Sequence, residues 1–273
     1  MSTPTKRTSA APQGISSAGR WYERRSARIA LGAVVPLILL TAWQITTSAG
    51  IFTSVQLPSP GSVIDAGVEL LQRGELLRHI AISVQRVLIG FAIGGLLGLL
   101  VGALVGLSPL ASALLGPVIG AIRAVPSLAW VPLLVLWMKI GEESKVTLIA
   151  IGAFFPVFTT VAAALQHVDR SLVEAARAFG LRGVRLLTQV QLPAVIPAIF
   201  SGARLALAQA WLFLVAAELI ASSMGLGFLL TDSQNNGRTD RLLLAIVLLA
   251  VLGKLTDALL GLVERWAARR WGG

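Results

Sequence analysis

Six apolar stretches, each near the length that crosses hydrocarbon, constrain most of what this sequence is able to fold into. A bilayer core about 30 Å thick calls for about 20 helical residues. Runs of that order lie at approximately Ile29 to Ile45, Val87 to Leu107, Leu110 to Met138, Val146 to Leu165, Val195 to Ile220 and Leu242 to Val263. In hydrocarbon a backbone N–H or C=O finds no water, so such runs must satisfy their own hydrogen bonds as helices. With 55% hydrophobic and 13% charged residues over 273 positions, the chain is too apolar for an ordinary soluble domain, whose charged fraction is about a quarter. The expectation is an all-α, polytopic membrane bundle of about six transmembrane helices, with no room for a separate ATPase or catalytic domain. Cysteine is absent, which excludes disulfide frameworks, thiolate metal sites and cysteine nucleophiles.

Basic residues set the expected orientation. Lys6, Arg7, Arg20, Arg24, Arg25 and Arg28 precede the first run, Arg170, Arg177, Arg182 and Arg185 sit between the fourth and fifth, and Arg265, Arg269 and Arg270 close the chain. The alternate connections hold Arg73, Arg78, Arg86, Lys139, Lys145, Arg238 and Arg241, largely offset by nearby acids. Lysine and arginine favour the cytoplasmic side, so both termini and the segment between the fourth and fifth runs are expected there. The net charge of +10 then reflects orientation and attraction to anionic membrane lipid. Split among membrane flanks and without interleaved aromatics, these residues argue against nucleic-acid binding. Residues 1–28 read as a disordered basic cytoplasmic tail. The first run reads as a retained anchor, although Thr47-Ser48-Ala49 resembles a poor signal-peptide cleavage site.

Two runs have internal grammar. The second places Gly90, Gly94, Gly98, Gly102 and Gly106 at every fourth position, a stripe along one helix face against which another backbone packs closely. The third carries Pro117, Pro126 and Pro132, so a kinked or broken helix is expected, its freed carbonyls facing protein or water.

The polar insert from Asp169 to Pro197 is the segment that least belongs among membrane spans. Ser171-Leu172-Val173-Glu174 has the form of a capping box. Ala175, Ala176, Arg177 and Ala178 favour helix, and Gly180 supplies a left-handed stop. A two-turn helix is unstable alone and must be held by tertiary contact or a partner. Leu172, Ala176 and Phe179 share one side of it, a surface suited to a groove. A second helix, about Val184 to Gln191, is expected to end before Leu192-Pro193.

Glu174-Ala175-Ala176, Gly180, Val190, Leu192 and Pro193 match the EAA motif of ABC importer permeases, with Val190 where the motif has isoleucine. More narrowly, LPSP at 57–60, SVQRVLIGF at 83–91, AVPSLAWVPLLVLW at 124–137, IGEESK at 140–145, FFPV at 154–157 and SGARLALAQAW at 201–211 resemble the aliphatic-sulfonate, nitrate and taurine importers over roughly residues 57–266. The resemblance implies a type I importer permease of the MetI-like class in a bacterial inner membrane. It implies a permease domain at 29–273 with its core at 79–266 and a cytoplasmic coupling loop at 166–194. Ser171, Leu172, Glu174, Ala175, Ala176, Phe179, Gly180, Leu192 and Pro193 would couple it to an ATPase. The implied partners are a second copy of the permease, two cytoplasmic ATP-binding subunits and an external solute-binding protein. No P-loop pattern occurs in the sequence, so no cofactor is expected in this chain, ATP and magnesium being held by the partner.

Charges at membrane depth are costly and therefore candidates for function. Arg123 precedes Pro126 in the third run and Arg204 lies in the fifth. Each either guides an anion or has a structural role, Arg204 by reaching the boundary and Arg123 by bonding carbonyls freed at the kink. Pro126, Trp130, Arg204, Trp211 and Glu218 complete a candidate translocation pathway, although tryptophans at such spacings also serve as bundle core. Glu218 is expected to pair with Arg238 or Arg241, and Lys254 with Asp257. A secondary transporter would show two related halves, and none is visible. An intramembrane enzyme would need a nucleophile and base at depth, whereas His79 and His167 fall at span ends and no metal-ligand cluster occurs within a span.

Overall fold

A computed structural model describes residues 25–271, and every regular element among them is helical. Residues 1–24 of the expected tail lie outside the described residues, while Arg25 to Arg28 already belong to a helix. The chain divides into two units, Met1–Thr53 and Ser54–Gly273. The first contributes α1 (Arg25–Ser48), whose apolar portion Val34–Ser48 exposes Val35, Leu37, Ile38 and Leu39.

The second unit holds α2 (Pro60–Gln72), α3 (Glu75–Leu107), α4 (Pro109–Ala124), α5 (Trp130–Met138), α6 (Glu142–Gln166), α7 (Arg170–Ala178), α8 (Gly183–Leu186), α9 (Leu192–Ala221), α10 (Leu226–Asn235) and α11 (Thr239–Trp271). Four stretches are long and apolar enough to cross a membrane: Glu75–Leu107, Glu142–Gln166, Gly183–Ile220 and Thr239–Arg269. The other two expected spans are the shorter apolar helices Val34–Ser48 and Pro109–Ala124. Serine followed by proline starts two of the helices. Ser59 and Ser108 accept from the amides of Ser62 and Ala111, each at 3.2 Å, and the prolines that follow occupy first-turn positions where no amide is needed.

The third apolar run is broken where Pro126 demands it. Val125 adopts an extended conformation, as the residue before a proline prefers. A single tight turn at Ser127–Ala129 follows, and α5 then restarts the helix. The run is therefore two short helices with a joint, not one span.

Along α3, the glycine stripe is the surface that seats α6. A Cβ at Gly98 would lie 2.6 Å from the Phe154 carbonyl, one at Gly102 2.9 Å from that of Phe158, and one at Gly106 2.7 Å from the Leu165 Cβ. No side chain larger than hydrogen fits there without separating the helices. Gly90, Gly94, Gly98 and Gly102 are all buried. The opposite side of α6 packs on α9, and Val87, Ile149, Val157, Val161, Trp211 and Leu214 form the shared core. This three-helix core ties the polar groups at its two ends to one rigid frame.

Candidate functional site

The insert between α6 and α9 folds as a short hairpin whose helix start differs from expectation. Asp169, not Ser171, is the N-cap of α7: its Oδ1 accepts from the Ser171 amide and the Ser171 hydroxyl, both at 2.8 Å. A carboxylate is the stronger acceptor at a helix N-terminus, and once it holds Ser171 the capping box with Glu174 does not form. The two bonds from Ser171, hydroxyl first, hold the Asp169 carboxyl below the usual aspartate range. Glu174 is left exposed and free of a cap partner.

The helix ends as the sequence predicts. Gly180 sits at φ +84°, the Leu181 amide donates to the Ala176 carbonyl at 3.1 Å, and the Gly180 amide donates to that of Arg177 at 2.9 Å. These two bonds close a Schellman motif that only a residue tolerant of positive φ completes without strain. The second helix corrects another expectation, because it does not stop before Leu192-Pro193. α8 passes through a widened turn at Leu187–Gln191, in which the Leu192 amide donates to the Leu187 carbonyl, and runs on into α9. Proline has no amide and its ring crowds the carbonyl one turn back, and a turn of π type relieves both demands. The hairpin is thus joined to a membrane-length helix from Gly183 to Ile220.

The expected apolar side of α7 divides into two roles. Ala176 is buried within the chain, whereas Leu172 and Val184 are exposed and Phe179 is 88% exposed. A phenylalanine so placed on a folded, capped hairpin is an exposed apolar anchor in search of a groove. Ala175, Leu192 and Pro193 complete the motif, with Ala175 exposed and Pro193 partly covered.

At the opposite end of the core lies a polar cluster that sequence reading did not assemble. Glu218 is fully buried and does not pair with Arg238 or Arg241. Its carboxylate instead accepts from Arg86 Nη1 at 2.7 Å, from the Ser83 hydroxyl at 2.9 Å and from the Gly227 amide at 2.8 Å. Arg86, 4% exposed, also donates through Nε to Glu142 at 2.7 Å and through Nη1 to the Met224 carbonyl at 2.7 Å, and Lys145 reaches Glu142 at 3.1 Å. His79 Nδ1 accepts from the Gly225 amide at 3.0 Å, and the Ser83 hydroxyl accepts from the Leu226 amide at 2.8 Å. The cluster fastens α3, α6 and α9 to the turn that starts α10. Arg238 and Arg241 bind Glu69 instead, at 3.0 and 2.9 Å, and with Arg73 beside them they hold its carboxyl below the usual range. His79, Ser83 and Arg86 continue the buried face of the glycine stripe toward the start of α3, at intervals of four, three and four residues back from Gly90.

The expected pathway residues separate. Arg204 forms a two-pronged bond with Asp257 at 2.9 and 3.0 Å and reaches Glu264 at 3.4 Å, while Lys254 meets Asp257 at 3.6 Å, as expected of that pair. Arg204 is thus a strut between α9 and α11. Trp211 is buried core and donates its indole N–H to Thr256 at 2.9 Å, and Glu218 is buried in the cluster described above. Trp130 borders an apolar cavity of about 370 Å³ with Gly94, Ala150 and Phe155, and its buried indole nitrogen has no partner among the described residues. Pro126 marks the joint. Arg123 is exposed at the end of α4 and, among the described residues, has no acid partner, nor does it bond the carbonyls at the kink. It borders a second cavity, of about 300 Å³, on α6 and α9. Among the described residues no group of acids or histidines is arranged to hold a metal ion.

Residues 94–269 match the family of binding-protein-dependent transport system inner membrane components. The chain is 44% identical over 238 residues to a protein of Escherichia coli (strain K12) described as an aliphatic sulfonates transport permease, SsuC, a match covering 87% of this chain and 90% of that one. It is 34% identical over 251 residues to the taurine transport system permease protein TauC of the same organism, covering 90% of each. Among solved structures, the inward-facing MetNI methionine ABC transporter in its native crystal form has a chain that superposes with a TM-score of 0.63 at 21% identity, covering 72% of this chain and 97% of that one. That likeness establishes the fold.

Proposed function

We propose that this chain, which belongs to the family of binding-protein-dependent transport system inner membrane components, is the gate of an ATP-driven importer of small organic anions, aliphatic sulfonates first. The observation that carries the reading is the hairpin: a capped two-turn helix, joined without a break to a membrane-length helix and presenting Phe179 and Leu172 outward. Such a surface is suited to the groove of a cytoplasmic ATP-binding subunit. The ATP and magnesium belong to that subunit, and this chain performs no hydrolysis. Two copies of the permease with two ATPases form the transporter in a bacterial inner membrane, and an external binding protein delivers the solute. The hairpin and both termini face the cytoplasm, in keeping with the distribution of lysine and arginine.

Mechanistically, closure of the ATPases on nucleotide draws the two hairpins together. Because α8 continues through its widened turn into α9, and α9 packs on α6, which packs on α3 through the glycine stripe, the displacement is carried by a rigid frame and not absorbed in a loop. The two copies then rock between inward-open and outward-open arrangements. The relatives named for sulfonates and taurine support an organic anion as cargo.

Co-purification of the ATPase with the permease from detergent extracts tests the coupling assignment. Phe179→Asp or Gly180→Val is expected to leave the permease in the membrane while abolishing both ATPase retention and uptake. Full uptake by both variants would contradict it. Uptake of radiolabelled ethanesulfonate into proteoliposomes holding the whole complex tests the cargo, and nitrate import without sulfonate import would reassign it.

A further inference from the structure

Among the described residues, Arg86, Arg204 and Lys254 lie well inside the long apolar helices, whereas Arg123 stands in the last turn of α4, beside the joint. Each of the first three has an acid partner, Arg86 in Glu218 and Glu142, and the other two in Asp257. Arg123 has none among the described residues. Its side chain is exposed at the joint, so its charge is free to meet an anion that comes from elsewhere. The cavity beside it gives that anion a place. Its walls come from the end of α4, the middle of α6 at Gly152 to Thr159, and the middle of α9 at Leu205 to Phe213.

Within this cavity, Gln209 is the second polar group whose side chain has no partner among the described residues. Its amide supplies two N–H donors. Thr159 is differently placed, since its hydroxyl already donates to the Phe155 carbonyl at 2.8 Å. Among the described residues no carboxylate borders the cavity, and Phe155, Leu205 and Phe213 supply an apolar wall. A volume of about 300 Å³ is at the lower end of the range for small-molecule sites.

The geometry points to an anion subsite half-way along the permease, in which Arg123 and Gln209 hold the sulfonate head of an alkanesulfonate while its hydrocarbon tail lies against Phe155, Leu205 and Phe213. This assignment rests on the importer reading and adds to it a residue-level selectivity. The guanidinium fork suits an oxyanion with several equivalent oxygens, and the amide donates to a further oxygen. A taurine molecule would bring an ammonium group into a cavity with no acid to receive it, so a plain alkanesulfonate is the better cargo. The subsite is necessarily weak, because a conducting site must release what it holds.

The test uses the complete complex of permease, ATPase and binding protein in proteoliposomes, with radiolabelled ethanesulfonate and taurine as probes. The readout is solute imported per ATP hydrolysed. Arg123→Met and Gln209→Leu, both close in volume to the native side chains, are expected to lower this ratio for ethanesulfonate by about tenfold or more for the arginine and less for the glutamine. Arg123→Lys should recover part of the loss by restoring a charge without the fork, which a purely structural arginine would not require. The wild type should import ethanesulfonate in preference to taurine. Wild-type ratios in both Arg123→Met and Gln209→Leu would overturn the subsite while leaving the importer reading intact. A wild-type complex that hydrolyses ATP but imports neither probe would overturn the importer reading for sulfonates itself. Where Arg123→Met fails to accumulate, Gln209→Leu carries the same decision.

Discussion

The two ends of the core make opposite use of their polar residues. At one end, Glu218, Arg86, Ser83 and Glu142 satisfy one another and the backbone of the α9 to α10 turn, with Glu218 wholly out of reach of solvent. At the other end, the hairpin satisfies only its own backbone, through Asp169 at the start and Gly180 at the finish, and leaves Phe179 and Leu172 uncovered. A region complete in itself is a fastening. A region folded but uncovered is an interface, and the difference is legible in where each spends its hydrogen bonds and where each leaves apolar surface.

That contrast breaks most visibly at the fastening. Removing one partner of a buried ion pair strands the other, at a cost of about 3–5 kcal/mol. Glu218→Ala and Arg86→Ala are therefore expected to lower the thermal unfolding temperature of the purified permease strongly and to deplete it from the membrane. Unchanged melting in both would mean that the cluster holds nothing together. A middle-sized effect belongs to the end of the hairpin: Gly180→Ala places a Cβ at φ +84°, costing about 1–2 kcal/mol locally. Its mark should be loss of ATPase retention with little change in global melting. Equal damage to both would erase the distinction between the two ends.

The smallest effect is electrostatic. Asp169 has a folded-state pKa held below its ordinary value by Ser171. Its contribution is present above the ordinary aspartate range and is lost as pH falls through the lower folded value. ATPase retention should thus be flat from neutral to mildly acid pH and should weaken only in strong acid. Asp169→Asn, which still accepts a hydrogen bond at the cap, is expected to retain most of the binding at neutral pH, whereas Asp169→Ala should retain less. Identical binding by the two variants, measured by co-purification, would remove Asp169 from the account of the hairpin.

How far the sequence anticipates this arrangement depends on the range of the interaction. The glycine stripe of α3, the joint at Pro126 and the stop at Gly180 are visible because spacing within one helix, or the conformation of one residue, decides them. The start of α7 misleads because Asp169 and Ser171 are both good caps two positions apart, and only the folded geometry shows the serine donating to the aspartate. The widened turn before Pro193 is missed because a proline usually ends a helix. Glu218 is assigned the wrong arginine because its partner lies 132 positions earlier in the chain, beyond anything periodicity reports. The missing signal lay on the same buried face of α3: back from Gly90, at intervals of four, three and four residues, come Arg86, Ser83 and His79.

The central claim is that the uncovered hairpin is gripped from the cytoplasm by an ATP-binding subunit. The chain has no cysteine, so Ala178→Cys gives a single reporter at an exposed position of α7 beside Phe179 while leaving that side chain in place. Labelling with a membrane-impermeant maleimide should fail in intact spheroplasts, succeed in inside-out vesicles stripped of the ATPase, and be blocked when the ATPase is restored. Labelling from the outer face of intact cells, or labelling indifferent to the ATPase, would contradict the account.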